Sequence, residues 1–159
     1  MTVRDWKRIA KWAVALLGIA FIAIQFVPVD RSNPPVETEF AVPAEVRTIL
    51  RRACYDCHSN ETVWPWYSRV APISWLVASD VQEGRDEMNF STWNRWSAKK
   101  RNRAARKIWE QVKNEEMPLW FYIPLHAESR LTVEDRAMLQ AWSLAVSNDE
   151  HNRPEERAE

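Results

Sequence analysis

The chain has 159 residues, a length that allows one compact domain together with an anchor or tail. Its 22 Lys and Arg residues balance 22 Asp and Glu residues, and this neutrality argues against a protein that binds nucleic acid through a basic face. With only 2 glycines, Gly-rich nucleotide-binding loops are excluded, while 10 tryptophans are suited either to a planar cofactor or to a Trp-rich core.

The first predicted element is an apolar helix near the N-terminus. Residues 12–24 are apolar throughout, and the longer stretch 9–29 is interrupted only by Lys11 and Gln25. At about 1.5 Å per residue, this stretch would cross a hydrocarbon core of about 30 Å. Basic residues precede it, so the sequence predicts that residues 1–29 form a cytoplasmic N-terminus and a single transmembrane anchor, with lipid around residues 9–29. A cleavable signal peptide is the competing interpretation, and either one predicts an exported domain.

The segment after the apolar stretch is predicted to be extended and then helical. Residues 30–42 include Pro34 and Pro35, which disfavour helix and stiffen the chain, so this segment reads as a linker. Pro43 suits the first turn of a helix because its missing N–H is not needed there. Apolar residues then recur at helical spacing, at Val46, Ile49, Leu50, Ala53, Cys54 and Cys57.

The end of this helix carries the most specific pattern in the chain, Cys54-Tyr55-Asp56-Cys57-His58. Cys-x-x-Cys-His is the attachment signature of covalent c-type haem. Positions i and i+3 share a helix face, so Cys54 and Cys57 can reach the two vinyl groups of one porphyrin. His58 then offers its imidazole to the iron from the same side. The sequence therefore predicts one haem c, in a domain expected outside the cytoplasmic membrane, in the bacterial periplasm or an equivalent space.

Two other interpretations of the cysteine pair are weaker. A redox disulfide of the thioredoxin type lies beside a βαβ pattern, and no alternating strand pattern is found in this sequence. A structural zinc site needs four protein ligands, usually from two closely spaced pairs. The remaining histidines, His126 and His151, are scattered.

The next stretch is dense in aromatic residues. Pro65 and Pro72 divide it into a loop and a short helix over about 73–83. A backbone carbonyl near one of these prolines is expected to accept a hydrogen bond from the second ring nitrogen of His58. Candidates for the haem wall, with core packing as the alternative for each, are Trp64, Trp66, Tyr67 and Trp75.

Two further helices complete a predicted haem domain over residues 43–147. The first covers 97–114, with Ser97 as its N-cap and a basic cluster read mainly as a solvated face. The second covers 132–146, where Thr132 and Asp135 approximate a capping box. Residues 148–159 are charged and predicted to be a disordered tail.

Met117, followed by Pro118, is the candidate for the sixth iron ligand. It lies between two predicted helices after the haem motif, and a thioether is a soft, neutral ligand of the kind that raises a haem's reduction potential. His126 is the main rival, and two histidines would give a lower potential. Met88 and Met138 are weaker candidates. The predicted iron ligands are thus His58 and Met117.

The sequence resembles the small haem-binding-domain family of bacterial exported, membrane-anchored c-type cytochromes. The resemblance covers most of the chain. It begins at the end of the predicted anchor, Gln25-Phe26-Val27-Pro28-Val29-Asp30-Arg31, with Asn33-Pro34-Pro35. It continues through the haem motif followed by Ser59-Asn60 and Thr62, Trp64-Pro65-Trp66-Tyr67-Ser68, Ala71-Pro72, Ser74-Trp75, Asp80-Val81, Glu83-Gly84-Arg85, Asn89-Phe90-Ser91, Trp93, Met117-Pro118, Tyr122, Leu125-His126 and Trp142. It implies haem attachment and cytochrome-c-like helices around the haem. Many relatives have a second proline where this chain has Leu119, a change that does not touch the proposed ligand.

These observations predict an all-α protein in which a transmembrane helix precedes a small cytochrome-c-like domain. The favoured function is one-electron transfer to redox partner proteins, or service as the haem subunit of a membrane complex. The alternatives are a haem peroxidase-like enzyme, with His126 above an open iron position, and a haem-based sensor of redox state or a diatomic gas.

Overall fold

The computed structural model describes the backbone of residues 3–152 and the side chains up to residue 146. Within that range every regular element is helical, which confirms the predicted all-α class. Six α-helices occur in chain order: α1 Val3–Ile24, α2 Ala44–Ala53, α3 Tyr55–His58, α4 Ile73–Glu87, α5 Ala98–Lys113 and α6 Val133–Asn152. Short 3₁₀ helices cover Trp66–Arg69, Phe90–Arg95, Ile123–Leu125 and Ala127–Ser129.

The chain divides into two compact units. The first is formed by the residues up to Ser32 together with Trp64–Asp80, and the second by Asn33–Val63 together with the chain from Val81 onward. The haem motif, Met117 and His126 all belong to the second unit.

The predicted transmembrane anchor is wrong. Helix α1 ends at Ile24, and the chain turns over residues 25–27, so the apolar stretch 9–29 is not one helix. Its uninterrupted apolar part, residues 12–24, is about 20 Å long at 1.5 Å per residue, too short for a hydrocarbon core of about 30 Å. Among residues 3–152, no helix combines the length and the apolar character needed to cross a bilayer. This finding also overturns the predicted single-pass inner-membrane location.

A pair of hydrogen bonds joins Gln25, where the chain turns, to Ala71 within the first unit. The Gln25 side chain donates to the Ala71 carbonyl at 3.2 Å and accepts from the Ala71 N–H at 2.9 Å. A few residues later, Arg31 donates to the Ser68 carbonyl at 3.2 Å. These long-range contacts satisfy backbone groups around Ala71, and sequence periodicity does not reveal them.

The second unit is built around a single hydrophobic core. Phe40 is its centre, with its ring centroid 4.7 Å from that of Phe90, 4.6 Å from that of Trp93 and 6.3 Å from that of Trp142. Helix α2 contributes the apolar face that its spacing predicts. The other buried apolar residues are Val46, Ile49, Leu50, Ala53, Tyr55, Ala104, Ala105, Ile108, Val112, Leu131 and Leu139.

The segment predicted as a linker, 30–42, has no regular secondary structure, but most of it belongs to this compact unit. The Asn33 side chain donates to the Thr62 carbonyl at 2.9 Å, and Asn60 donates to the Pro35 carbonyl at 2.8 Å. Phe40 is only 1% exposed. The compact unit therefore begins at Asn33, earlier than the predicted boundary at Pro43.

The capping signals in the sequence locate the starts of α5 and α6 well. The Ser97 hydroxyl accepts from the Lys100 N–H at 3.3 Å, as an N-cap residue does. Thr132 and Asp135 form a reciprocal capping box. The Thr132 N–H donates to the Asp135 carboxylate at 2.8 Å, and the Asp135 N–H donates to the Thr132 hydroxyl at 3.1 Å. Helix α6 continues past the predicted end at 146 into the segment predicted as a disordered tail, 148–159, and residues after Asn152 lie outside the described range.

Asp135 also joins α6 to α2 through an ion pair with Arg52. Burial alone would raise the pKa of Asp135, but hydrogen bonds from Arg52 and Thr132 outweigh it and hold the pKa below its usual value. A folded-state pKa below the unfolded one, about 3.9, stabilises the protein above that pH, and the contribution is lost as pH falls through the folded pKa.

We expect Asp135→Asn to lower the unfolding free energy by about 1–3 kcal/mol near neutral pH. The difference in unfolding free energy between this variant and the native chain should shrink below about pH 4. Urea titrations at several pH values measure it. A difference independent of pH would contradict the ionic contribution.

Candidate haem-binding site

The haem motif lies at a break between two helices. Helix α2 ends at Ala53, and Cys54, with φ −131° and ψ −29°, separates it from the single turn α3. The Cys57 N–H and the His58 N–H both donate to the Cys54 carbonyl, at 3.3 and 2.9 Å. One tight turn therefore brings Cys54, Cys57 and His58 together, although the sequence predicts one uninterrupted helix through the motif.

Tyr55 anchors this turn in the core. It is 5% exposed, and its ring stacks on that of Phe90 with centroids 5.0 Å apart and planes 17° apart. The Phe90 and His58 rings in turn lie in an edge-to-face arrangement, with centroids 6.3 Å and planes 63° apart. With Tyr55 held inward, Cys54, Cys57 and His58 stay partly accessible on the other side of the turn. Sequence reasoning missed Tyr55 and Phe90, although an aromatic residue within the motif was a usable signal.

The structure identifies which groups orient the His58 ring. Its Nδ1 lies 2.8 Å from the Gly84 carbonyl oxygen and 3.1 Å from that of Met88. Both partners are acceptors, so Nδ1 carries the proton and Nε2 keeps a lone pair for a metal. The predicted acceptor near Pro65 or Pro72 is therefore wrong, and the C-terminal end of α4 takes its place. Burial lowers the pKa of His58, more than these hydrogen bonds raise it, so the imidazole is neutral near pH 7, the form that ligates iron.

Gly84 is where α4 meets the motif most closely. A Cβ atom at this position would lie 2.6 Å from the Cys57 carbonyl oxygen and 3.1 Å from the Cys57 Cβ. Only a residue without a side chain lets the α4 backbone approach closely enough to place its carbonyl beside His58. An isolated glycine inside a helical pattern, in a chain with so few, was the signal that could have revealed this role.

The two cysteines are thiols in the structure, with no disulfide between them. Burial raises the pKa of the Cys54 thiol to about 12, and the neighbouring Cys57 adds to this. A redox-active Cys-x-x-Cys pair instead needs a thiol whose pKa is depressed towards neutrality. Among the described residues, no group of three or more His, Cys, Asp and Glu side chains is arranged to hold a metal ion. The raised pKa of Cys54 is the opposite of the change that activates such a pair.

Met117 follows the end of α5 in the same unit as His58. Its N–H and that of Glu116 donate to the Gln111 carbonyl, at 3.3 and 2.9 Å, and Glu115 has a positive φ of 60°, so the chain reverses there. Met117 itself is partly buried. Its role as an iron ligand stays a prediction.

The rival ligands have other environments. The Met88 backbone carbonyl accepts from His58 Nδ1, so the Met88 backbone lies on the Nδ1 side of the ring. Met138 is 37% exposed on α6. The His126 ring stacks on Tyr122 with centroids 3.9 Å and planes 7° apart, and its Nδ1 is 3.3 Å from the Tyr122 carbonyl oxygen.

Tyr122 connects this loop to the haem motif. Its hydroxyl donates to Asp56 Oδ2 at 2.6 Å, and Asp56 lies between the two cysteines. Three apolar residues near Tyr122 are solvent-exposed: Trp120 at 79%, Phe121 at 39% and Leu125 at 63%. Available thiols, an oriented imidazole and nearby apolar side chains are the groups that a porphyrin requires, so the residues present fit a haem.

The four predicted wall residues belong to the first unit. Trp66 is 75% exposed, with the edge of its ring against Tyr67, and Trp75 is 39% exposed, whereas Trp64 and Tyr67 are partly buried. Their assignment to a haem wall stays a prediction.

The fold and the motif together define an all-helical domain of the haem-binding class. A family model described as a haem-binding domain matches residues 19–145, most of the chain. The chain therefore belongs to the haem-binding-domain family. Searches among curated proteins and among solved structures gave no match.

Proposed function

We propose that this chain is a monohaem c-type cytochrome that carries single electrons. In this proposal Cys54 and Cys57 bind the haem covalently, and His58 and Met117 are its axial ligands. The observation that carries the proposal is the geometry of His58. Two backbone carbonyls orient its imidazole through Nδ1, and the residue lies one turn after Cys54 and directly after Cys57. A bound haem supplies an iron that gains or loses one electron.

The surroundings of His58 favour a ligand that stays fixed during electron transfer. Two acceptors hold its Nδ1, and Phe90 packs against the ring, so the imidazole has little freedom to rotate. Hydrogen bonds to carbonyls also increase the basicity of a ligating histidine. A ligand that moves little when the iron changes oxidation state keeps the reorganisation energy of electron transfer low.

Met117 is proposed as the second ligand because of its position in the chain and because its loop contacts the haem motif through Tyr122 and Asp56. Met117 begins the loop that Tyr122 fastens beside the motif, and the Met88 and Met138 positions are less suitable. Two protein ligands leave no open iron position, which favours electron transfer over peroxidase or gas-sensing chemistry. The proposed partners are redox proteins or the subunits of a redox complex.

The test replaces Met117 with alanine in protein made by cells that attach haem c. The native chain is expected to carry the added mass of one haem and to show a low-spin, six-coordinate spectrum. We expect Met117→Ala to keep the haem mass, lose the low-spin spectrum and lower the reduction potential, because the neutral soft sulfur that stabilises ferrous iron is gone. Optical spectra and a potentiometric titration measure these changes.

Met138→Ala is the matched control, since it removes an exposed thioether from α6. Its spectrum should equal that of the native protein. A native chain without haem mass would refute covalent attachment. An unchanged spectrum in Met117→Ala, together with a change in His126→Ala, would instead assign the sixth position to His126.

A further inference from the structure

We infer that the hydrogen bond between Tyr122 and Asp56 is a latch that holds the sixth ligand on the iron. The inference rests on the proposed function, because it concerns the loop Met117–His126, here called the ligand loop. In this reading Tyr122 and Asp56 are positioning residues that touch neither the iron nor its ligand atoms. In the haem-loaded protein a closed latch would hold Met117 in place as a ligand, and an open latch would let an external ligand reach the iron.

The first support is the position and connectivity of Asp56. Its Oδ2 accepts from the Tyr122 hydroxyl at 2.6 Å, while its Oδ1 accepts from the Val63 N–H at 3.0 Å. The Thr62 hydroxyl also donates to the Asp56 backbone carbonyl at 2.7 Å. The carboxylate is thus held by its own segment and presents one oxygen to the ligand loop, and a hydrogen bond to a charged acceptor is stronger than one between neutral groups.

The second support is the way the ligand loop is built. Four of its backbone hydrogen bonds are internal: the Tyr122 and Ile123 N–H groups donate to the Leu119 carbonyl at 3.0 and 3.4 Å, Leu125 donates to Tyr122 at 3.2 Å, and His126 donates to Ile123 at 3.1 Å. These bonds shape the loop without joining it to the haem motif. The Tyr122 hydroxyl makes that connection, across 66 positions of sequence.

The third support is the exposure of the loop's apolar side chains. Trp120 is 79% exposed and Leu125 is 63% exposed, so these two large residues add little apolar burial, whereas Pro118 is buried and Leu119 and Ile123 are partly buried. Segments with few buried apolar contacts open locally at low free-energy cost. A charge-assisted hydrogen bond from Tyr122 to Asp56 therefore adds to the partial apolar burial of the loop, and the stacked His126 ring stiffens Tyr122 on the loop side.

The test removes the Tyr122 hydroxyl and measures the accessibility of the iron. In haem-loaded Tyr122→Phe, which keeps an aromatic ring to stack on His126, we expect carbon monoxide to bind the ferrous protein about tenfold faster than in the native protein, as loss of one hydrogen bond to a charged group predicts. The near-infrared charge-transfer band of ferric iron bound to methionine should also weaken. Covalent haem content should be unchanged, because the cysteines are untouched.

Two further variants separate a latch from a general loss of stability. Ser97→Ala removes the N-cap of α5 and is expected to lower stability without changing the carbon monoxide rate. Asp56→Ala should speed carbon monoxide binding as Tyr122→Phe does, and the double variant should be no faster than the faster single one, since the two groups act through one bond. If Tyr122→Phe loses its haem during maturation, Asp56→Ala, which removes the acceptor, provides the same readout.

The outcomes distinguish failure of the latch from failure of the proposed function, in which Met117 is a ligand of the iron. A native protein without the methionine charge-transfer band would refute the proposed ligand and, with it, the latch. A native protein with that band, combined with an unchanged band and carbon monoxide rate in Tyr122→Phe, would refute the latch alone. Rates that multiply in the double variant would show that Tyr122 and Asp56 act independently, which also refutes it.

Discussion

Replacing Gly84 with alanine is expected to destabilise the second unit and disturb His58. The new Cβ would lie 2.6 Å from the Cys57 carbonyl oxygen, and because this neighbour is backbone, α4 or the haem turn must move. Overpacking of this kind costs about 1–3 kcal/mol or more. Alanine's better helix propensity returns at most about 1 kcal/mol, so the clash dominates. Movement of α4 also lengthens the 2.8 Å contact between His58 Nδ1 and the Gly84 carbonyl.

The other glycine of the chain is a matched control. Gly18 lies inside α1, and a Cβ there would meet nothing within 4 Å. Gly18→Ala should therefore stabilise the protein slightly or leave it unchanged, whereas Gly84→Ala should lower the thermal midpoint measured by far-ultraviolet circular dichroism. Equal effects of the two substitutions would show that the close approach at Gly84 is not needed.

Replacing Phe40 with alanine is expected to cost about 3–5 kcal/mol of unfolding free energy, the range for truncating a buried phenylalanine. The residue is 1% exposed and packs against Phe90 and Trp93 at centroid distances below 5 Å, namely 4.7 and 4.6 Å. Phe90 also supports Tyr55 and His58, so the cavity should loosen the haem motif as well. Urea denaturation of the haem-loaded protein measures the loss.

Val36→Ala tests whether this effect belongs to the core or to the whole segment. Val36 lies in the same irregular stretch and is 48% exposed, so its truncation should change the unfolding free energy by no more than about 0.5 kcal/mol. A small loss in Phe40→Ala, similar to that in Val36→Ala, would mean that residues 33–42 are a spacer after all.

Local patterns in the sequence predicted much of the second unit correctly. The serine before α5 and the Thr132–Asp135 pair identified helix starts because capping involves residues only three positions apart. The apolar spacing of α2 predicted its buried face for a similar reason, since helical periodicity is local. The Cys-x-x-Cys-His motif indicated a haem site, and the family match to a haem-binding domain supports that class.

Predictions failed where the deciding contact joins distant parts of the chain. The predicted membrane-spanning helix did not include the turn at Gln25, where the side chain forms hydrogen bonds with Ala71. The expected acceptor for His58 was placed near a proline, whereas carbonyls 26 and 30 residues away orient the ring. Hydropathy and spacing carry no information about which distant carbonyl a side chain will meet.

The sequence by itself determined that the chain is helical, where two of its helices begin, and which residue types are available for a haem, because each of these depends on neighbours within a turn or two. Only the tertiary structure decided that α1 ends at Ile24, that Phe40 is a core residue, and that Gly84 and Tyr122 meet the haem motif. The physical reason is that close packing and long-range hydrogen bonds select among many locally acceptable arrangements, and that selection exists only once the chain has folded.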